Sequence, residues 1–420
     1  MKKYGFWCFI ILLCLFTGYD VVMTWEGRVL SEKGFSKEAL LQAARVDPKN
    51  AEPFFKLALL HQWSLLQLDL DASEHYFQQA VERNPLDQGY WIHLAKIFQR
   101  RGNVEVFEHA LDNAIRVFPT GYQGRWVAGN LLLQQGAVEK AIPHFSYILA
   151  HYPNQSSAVY DIWEKVAVDD PEFLMEKLIP QDPACLRRYL ADQYGSGDKE
   201  LVKRVWRKAI SLGVKPAPDE TLRHIEFLIS KGELQEAFSL WKGGVWDEQQ
   251  VGPQDGDIIT NGGFERQSRL GLGFDWRIGT VQGAVVSFDP SNAFEGKRSL
   301  KISFSGKENV EFDQVRQVVP LKPNTTYVLR ANVRTKGVTT KSGVKIEVSG
   351  IGTGPSYQVA SESLTGDHPW KEIEMVFRTP ALLQGGVVKV RRQKSAKFDR
   401  YISGEVWIDH VRLAEVPPKS

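Results

Sequence analysis

Two periods divide this chain. From about residue 35 to residue 245 apolar positions recur at three- and four-residue spacing, as in Leu222, Ile225 and Leu228, with Trp206 and Ala209 on the same kind of stripe. That spacing predicts amphipathic helices, each burying one face. Beyond residue 257 the period falls to two. Leu300, Ile302 and Phe304 alternate with polar neighbours, and so do Tyr327, Leu329, Ala331 and Val333. Val344-Ile346-Val348, Ile373-Met375-Phe377, Val388-Val390 and Val406-Ile408 follow the same rule. Short alternating runs separated by turn formers such as Pro323-Asn324 and Gly350 to Pro355 predict an antiparallel sandwich. About eight such strands suit a double-sheet jelly roll.

The helical half repeats itself. Trp91-x2-Leu94-Ala95-x2-Phe98 is followed by Ala114 and Pro119, and the next unit places Gly129, Ala141-x3-Phe145 and Pro153 in the same frame. Pro85, Pro119 and Pro153 are 34 residues apart, as are Gly102 and Gly136. Small residues belong where two helices touch, and proline ends a helix because it lacks the N–H that continues the ladder. The frame resembles the tetratricopeptide repeat family, which implies stacked helix pairs forming a right-handed superhelix that binds a protein partner. Ser73-x3-Phe77 and Ala80 hold an earlier unit, and Gly197-x4-Val202 with Gly232-x4-Ala237 hold later, degenerate ones. The repeats are thus expected over 35–245. Trp91 is expected to pack between helices.

A third pattern stands at the start. Lys2 and Lys3 precede an apolar run from Phe6 to Phe16, interrupted by Gly18-Tyr19-Asp20 before Val21-Val22-Met23. Charge followed by apolarity reads as a signal anchor or signal peptide over 1–25, although a full span needs about 20 apolar residues. The expectation is a segment in the inner (cytoplasmic) membrane, with the bulk of the chain exported to the periplasm or cell exterior. Cys8 and Cys14 lie in this run, leaving Cys185 alone in the body, so no intrachain disulfide is expected beyond it. Cys185 itself reads as a small core residue.

The net charge of +2 hides a split. Residues 257–420 hold 24 Lys and Arg against 17 Asp and Glu, whereas the remainder holds 28 against 33. A basic second half supports a boundary near residue 256. The landmarks of 257–416 run Asn261-Gly262-Gly263-Phe264-Glu265, Trp276, Gly296-x2-Ser299-Leu300, Leu321-x-Pro323-Asn324-x2-Tyr327, Trp370, and Val406-Trp407-Ile408-Asp409-x-Val411-x-Leu413. They resemble carbohydrate-binding modules with a galactose-binding-like jelly roll. The resemblance implies carbohydrate binding, and a structural calcium held by Glu265 and Asp409, since calcium takes carboxylate and carbonyl oxygens. Two hydrogen-bonded carboxylates at sheet ends are the alternative. Sugar binding uses aromatic rings and polar groups, and the candidates are Tyr357 in a glycine-rich loop, Trp407 out of phase with its neighbours, and Arg391 and Arg392. The cluster Arg391, Arg392, Lys394, Lys397 and Arg400, with Arg334, Lys336, Lys341 and Lys345, favours an anionic glycan if it is more than a solvated face.

Reactive motifs are missing: there is no H-E-x-x-H, G-x-S-x-G, phosphate-binding glycine loop or paired cysteine set for zinc. The nine histidines are scattered. Basic and aromatic residues do not interleave as nucleic-acid binding requires. The sequence therefore predicts a non-enzymatic, membrane-anchored scaffold whose repeats bind protein and whose sandwich binds carbohydrate, as in polysaccharide assembly or export. The competing reading is an assembly factor whose jelly roll binds protein and no sugar, and a glycan-active enzyme stands behind both.

Overall fold

The computed structural model describes residues 2–32, 36–63, 68–166, 173–244, 256–266, 271–352 and 356–417, with side chains from Leu12 onward. It divides into two compact units, Met1–Gly213 and Val214–Ser420.

The first unit is helical. Helix α1 (Lys2–Glu32) leads to α2 (Lys37–Val46), and hairpins follow: α3 (Ala51–Trp63) with α4 (Leu70–Arg83), α5 (Gln88–Arg100) with α6 (Val104–Val117), and α7 (Tyr122–Gln134) with α8 (Val138–His151). Helix α9 (Ser156–Val166), a single wide turn at Leu174–Leu178, α10 (Pro183–Ser196) and α11 (Lys199–Ser211) complete it. The spaced residues do what their spacing requires. Ala95, Ala114, Ala128 and Ala141 are fully buried where helices meet. A Cβ at Gly129 would stand 2.5 Å from the Phe145 ring, so only glycine permits that approach. Gly102 and Gly136 adopt positive φ between paired helices, which costs glycine nothing. Acceptor side chains at Asp69, Asp87, Asn103, Asp182 and Asp198 cap helices by accepting from backbone N–H groups. Trp91 donates from Nε1 to the Pro85 carbonyl at 2.8 Å, tying the helix to its preceding turn.

The end of α1 packs on α2, where Gly27 lies close against Asp47. From Leu12 to Val22 its described residues are exposed. Among the described residues no helix is long and apolar enough to cross a membrane. The anchor expectation for 1–25 draws on Phe6 to Ile11, whose side chains lie outside the described residues. Within them the helix carries Thr17, Gly18, Tyr19 and Asp20 in succession, which interrupts the apolar run.

The second unit begins earlier than the change of period suggests. A helical hairpin, α12 (Pro218–Ser230) and α13 (Leu234–Gly244), shares its hydrophobic core with the sandwich that follows. Trp241 of α13 is fully buried and donates to the Thr260 hydroxyl at 3.0 Å. Gly273 (φ 58°) presses so closely on that indole that a Cβ there would lie 2.5 Å away. Gln235 donates to the Pro320 carbonyl at 2.7 Å, and Arg277 binds Glu226 at 2.9 Å. The cut between compact units therefore lies near residue 213, and the hairpin that the repeat frame assigns to 35–245 packs with the jelly roll.

Among the described residues ten strands form two antiparallel five-stranded sheets: β1 (Arg277–Ile278), β2 (Ala284–Asp289), β3 (Ser299–Ser305), β4 (Phe312–Val319), β5 (Thr326–Val338), β6 (Lys345–Ile351), β7 (Gln358–Ala360), β8 (Gly366–Arg378), β9 (Gly385–Arg392) and β10 (Ser403–Glu415). One sheet runs β1-β4-β9-β6-β7 and the other β2-β3-β10-β5-β8. The alternating apolar sets meet between them, with Leu300, Leu329, Val348, Val390 and Val406 all in one core. The weaker alternation of β4 has a cause: its register slips between Phe312 and Val315, so its core positions fall out of step.

Candidate carbohydrate-binding surface

Alternation that buries Ile346, Val348, Val388 and Val390 sends their neighbours to the outer face of the first sheet. Register then aligns those neighbours. Arg277 pairs with Arg316, Arg316 with Lys389, Lys389 with Glu347, and Glu347 with Ala360, one row across all five strands. In the next row Arg391 pairs with Lys345. Neighbouring strands lie about 4.8 Å apart, so the row is a line of closely spaced cations around one carboxylate.

Glu347 is 1% exposed, bonded to Lys389 at 2.8 Å with Lys345 at 3.8 Å. Its Oε2 has no hydrogen-bond partner among the described residues. Arg391 pairs with Glu311, and Arg316 is exposed with no ion pair among the described residues. Buried and half-buried ion pairs of this kind repay little of their desolvation, so the row makes poor sense as a stability device. With Arg277 paired to Glu226 and Lys389 to Glu347, the charge of the row left without an ion pair among the described residues is that of Arg316.

The four predicted sugar-binding residues are not brought together. Arg391 alone stands on this face. Tyr357 packs at the edge of the core, donates its hydroxyl to the Arg378 carbonyl at 2.9 Å, and lines a cavity of about 200 Å³ with Lys389 and Gln358. Burial pushes its phenol pKa up. Trp407 lies in the other sheet and is 3% exposed. Its Nε1 donates to Asp289 at 2.8 Å, and Lys301 and Arg334 cover the ring at 5.1 and 5.3 Å. A pyranose cannot reach that indole, so the expectation for Trp407 is corrected. Arg392 is corrected as well. It is 0% exposed and donates to the carbonyls of Ser342 (3.2 Å), Val310 and Arg400 (2.8 Å) and to Asn309 Oδ1 (3.0 Å). It is a buried strut for the segment between β9 and β10, because parity within β9 turns it inward beside Val388 and Val390. The residues that sequence reasoning missed, Arg316, Lys389 and Glu347, become visible only through strand register.

Glu265 and Asp409 do converge, on one loop. Asp409 Oδ2 accepts from the Phe294 and Glu295 N–H groups at 2.8 and 3.2 Å, and Oδ1 from His410 N–H at 2.7 Å. Glu265 Oε1 accepts from Lys297 and Arg298 N–H groups at 2.8 and 3.4 Å. Burial raises the pKa of Asp409, and the charge of Glu265 adds to the rise. Gly263 sits between them: a Cβ there would be 3.8 Å from Asp409 Oδ1 and 3.7 Å from Glu265 Cγ. Three of the four carboxylate oxygens thus accept backbone N–H groups, the arrangement of two hydrogen-bonded carboxylates, while their charges are of the kind calcium takes. No group of three or more His, Cys, Asp or Glu that could hold a metal occurs among the described residues, so backbone carbonyls would have to complete the ligand set.

Residues 256–397 match the carbohydrate binding domain family model, and residues 99–156 match the tetratricopeptide repeat model. The chain thus carries tetratricopeptide-like helical repeats in its N-terminal half and a C-terminal jelly roll similar to carbohydrate-binding modules. Among curated proteins it is 26% identical over 163 residues to the tRNA(Glu)-specific nuclease WapA of Bacillus subtilis subsp. natto, covering 37% of this chain. It spans 7% of the length of that relative. Among solved structures it is similar to Family 16 Carbohydrate Binding Module-2, with 24% identity, 38% of this chain and 99% of that one covered, and a TM-score of 0.26. The crystal structure of MamA aligns at 14% identity over 42% of this chain and 86% of that one, with a TM-score of 0.26.

Proposed function

We propose that this protein is a non-enzymatic scaffold in which the jelly roll binds an anionic polysaccharide and the helical repeats hold a protein partner. The observation that carries the reading is the cationic row on the outer face of the first sheet, within a domain that matches a carbohydrate-binding family. Exposed aromatics are not aligned on that face among the described residues, so charge rather than stacking is what it offers. Arg316 and Lys389 would contact ligand directly, with Glu347 orienting the two lysines. A calcium ion between Glu265 and Asp409 would lock the 294–298 loop to the start and end of the domain. Helix α1 would serve as the membrane anchor of an exported chain acting in polysaccharide assembly or export. Leu12, Leu13, Leu15, Phe16, Tyr19, Val21, Val22 and Trp25 are 51–70% exposed on all its sides, which supports lipid as their surroundings.

Affinity electrophoresis of the full chain through gels containing an acidic or a neutral polysaccharide tests this. Retardation by the acidic polymer, reduced in Arg316→Ala/Lys389→Ala and weakened by salt, is expected. A chain that runs unretarded in every gel would leave the protein-only assembly reading, which the repeats support by themselves.

A further inference from the structure

The second sheet carries a separate feature on the far side of the sandwich. Between β5 and β8 the register slips twice, on either side of Thr335. Paired slips re-aim side chains and open a ladder, and they are common beside functional sites. Here they open a cavity of about 460 Å³ lined by Arg334, Lys336, Asp367, His368 and Trp370, among others. That volume suits one small ligand. Thr335, buried in the same wall, has a hydroxyl with no hydrogen-bond partner among the described residues.

The wall is preorganised. Arg334 donates from Nη1 to Asn292 Oδ1 at 2.8 Å and lies over the buried Trp407, itself fixed by Asp289. Trp370 is held edge-on by Phe294, with ring centroids 5.9 Å apart. Asp367 Oδ1 accepts from the Gly337 N–H at 2.5 Å, where Gly337 has a φ of 66° that disfavours any side chain. Groups fixed before binding lose little entropy on binding.

We propose that this cavity binds a carboxylate-bearing sugar residue, a uronic acid, independently of the cationic row on the other sheet. It rests on the reading that the jelly roll binds carbohydrate. The chemistry selects the ligand. Arg334 and Lys336 call for an anion, and a planar guanidinium matches a carboxylate best. Asp367 is an acceptor, so the ligand must also carry donors, which the several hydroxyls of a sugar supply. Trp370 offers an apolar ring to the C–H face of a pyranose. One ligand class combines all three properties. The buried Trp407, which sequence parity alone suggests as a stacking platform, then acts beneath the site by positioning Arg334.

Titration calorimetry of the full chain with trigalacturonate, triglucuronate and neutral cellotriose tests the assignment. At least one uronide should bind, cellotriose at least tenfold more weakly. Trp370→Ala should weaken the uronide at least tenfold, Trp370→Phe should restore most of it, and Lys336→Ala should weaken it and flatten its salt dependence. Exposed Lys307→Ala, outside both proposed surfaces, should leave uronide binding within about twofold, by the independence of distant sites. The proposal is overturned if Trp370→Ala binds normally, if Lys336→Ala binds normally, or if only neutral sugar binds. Those three results leave the carbohydrate reading standing, whereas a chain that binds no glycan in calorimetry or in gels removes both.

Discussion

The α5–α8 repeats and the jelly roll bury different things, and the difference decides how each responds to change. The hairpins bury alanines, leucines and aromatic rings, and the side chains of Asp87 and Asn103 cap the starts of α5 and α6 locally. The sandwich buries ionised groups that reach across long stretches of sequence: Arg392 holds Ser342, Asn309, Val310 and Arg400, and Asp409 holds the 294–295 turn. A repeat stack can absorb damage locally, because each unit touches mainly its neighbours. A buried charge cannot be half-satisfied, so the sandwich should fail more steeply.

Arg392→Ala gives that contrast its largest test. It leaves several buried acceptors without a donor, and breaking a buried charged network costs about 3–5 kcal/mol. Urea unfolding followed on the second unit should show that loss, with new protease cleavage between residues 393 and 401. An unchanged midpoint would show that water replaces the guanidinium and that the contrast is overdrawn.

Calcium comes next. If the ion sits between Glu265 and Asp409, its binding adds to stability by roughly 2.7 kcal/mol at a hundredfold excess over Kd. The melting temperature should then fall on chelation, in the parent and in a control at exposed Glu362. Glu265→Gln, which keeps the acceptor but removes the charge, should melt alike with calcium and with chelator. Equal melting of the parent in both conditions would mean two hydrogen-bonded carboxylates and no metal.

In the repeats the corresponding change is steric. Ala141 is fully buried, and Ala141→Leu overpacks a helix contact at a cost of about 1–3 kcal/mol. Exposed Leu86→Ala, at a turn, should cost far less. Similar midpoints for the two variants would show that the 34-residue frame is misplaced.

The same contrast explains what could be read from residues alone. The repeat frame was legible because its determinants are local and periodic: a glycine at the turn, an alanine at the crossing, a proline at the end. Strand alternation revealed β3, β5, β6 and β8 to β10 for the same reason. The bulged β4 hid, and so did the allegiance of α12 and α13, since helical periodicity does not say what a helix packs against. A fragment starting at residue 257 would strip Trp241 from its place beside Gly273 and Phe274. The site was least legible. Parity separated Trp407 from the core strand positions correctly, but could not foresee Lys301 and Arg334 closing over its ring. Likewise, adjacent Arg391 and Arg392 look equivalent until the pleat sends one outward and the other in.

The smallest expected effect per residue returns to the repeats, where burial acts on neutral groups. His93 and His144 are partly buried in α5 and α8, and burial lowers each pKa to about 4, with Lys96 and Arg125 respectively opposing protonation further. Both ring Nδ1 atoms lack hydrogen-bond partners among the described residues. In the unfolded chain each imidazole titrates near its ordinary value of about 6.5. Between about pH 6.5 and 4 the unfolded state therefore binds more protons than the folded one, and stability rises with pH across that window. On acidification the repeats should lose about 1–2 kcal/mol per histidine, a figure discounted for the part of each ring that stays solvated. His93→Gln/His144→Gln should flatten the stability of the first unit between pH 6.5 and 4 relative to the parent. A parent whose repeats are equally stable at both ends of the window would show that these rings protonate freely in the folded stack, and that neutral burial is not what distinguishes it from the sandwich.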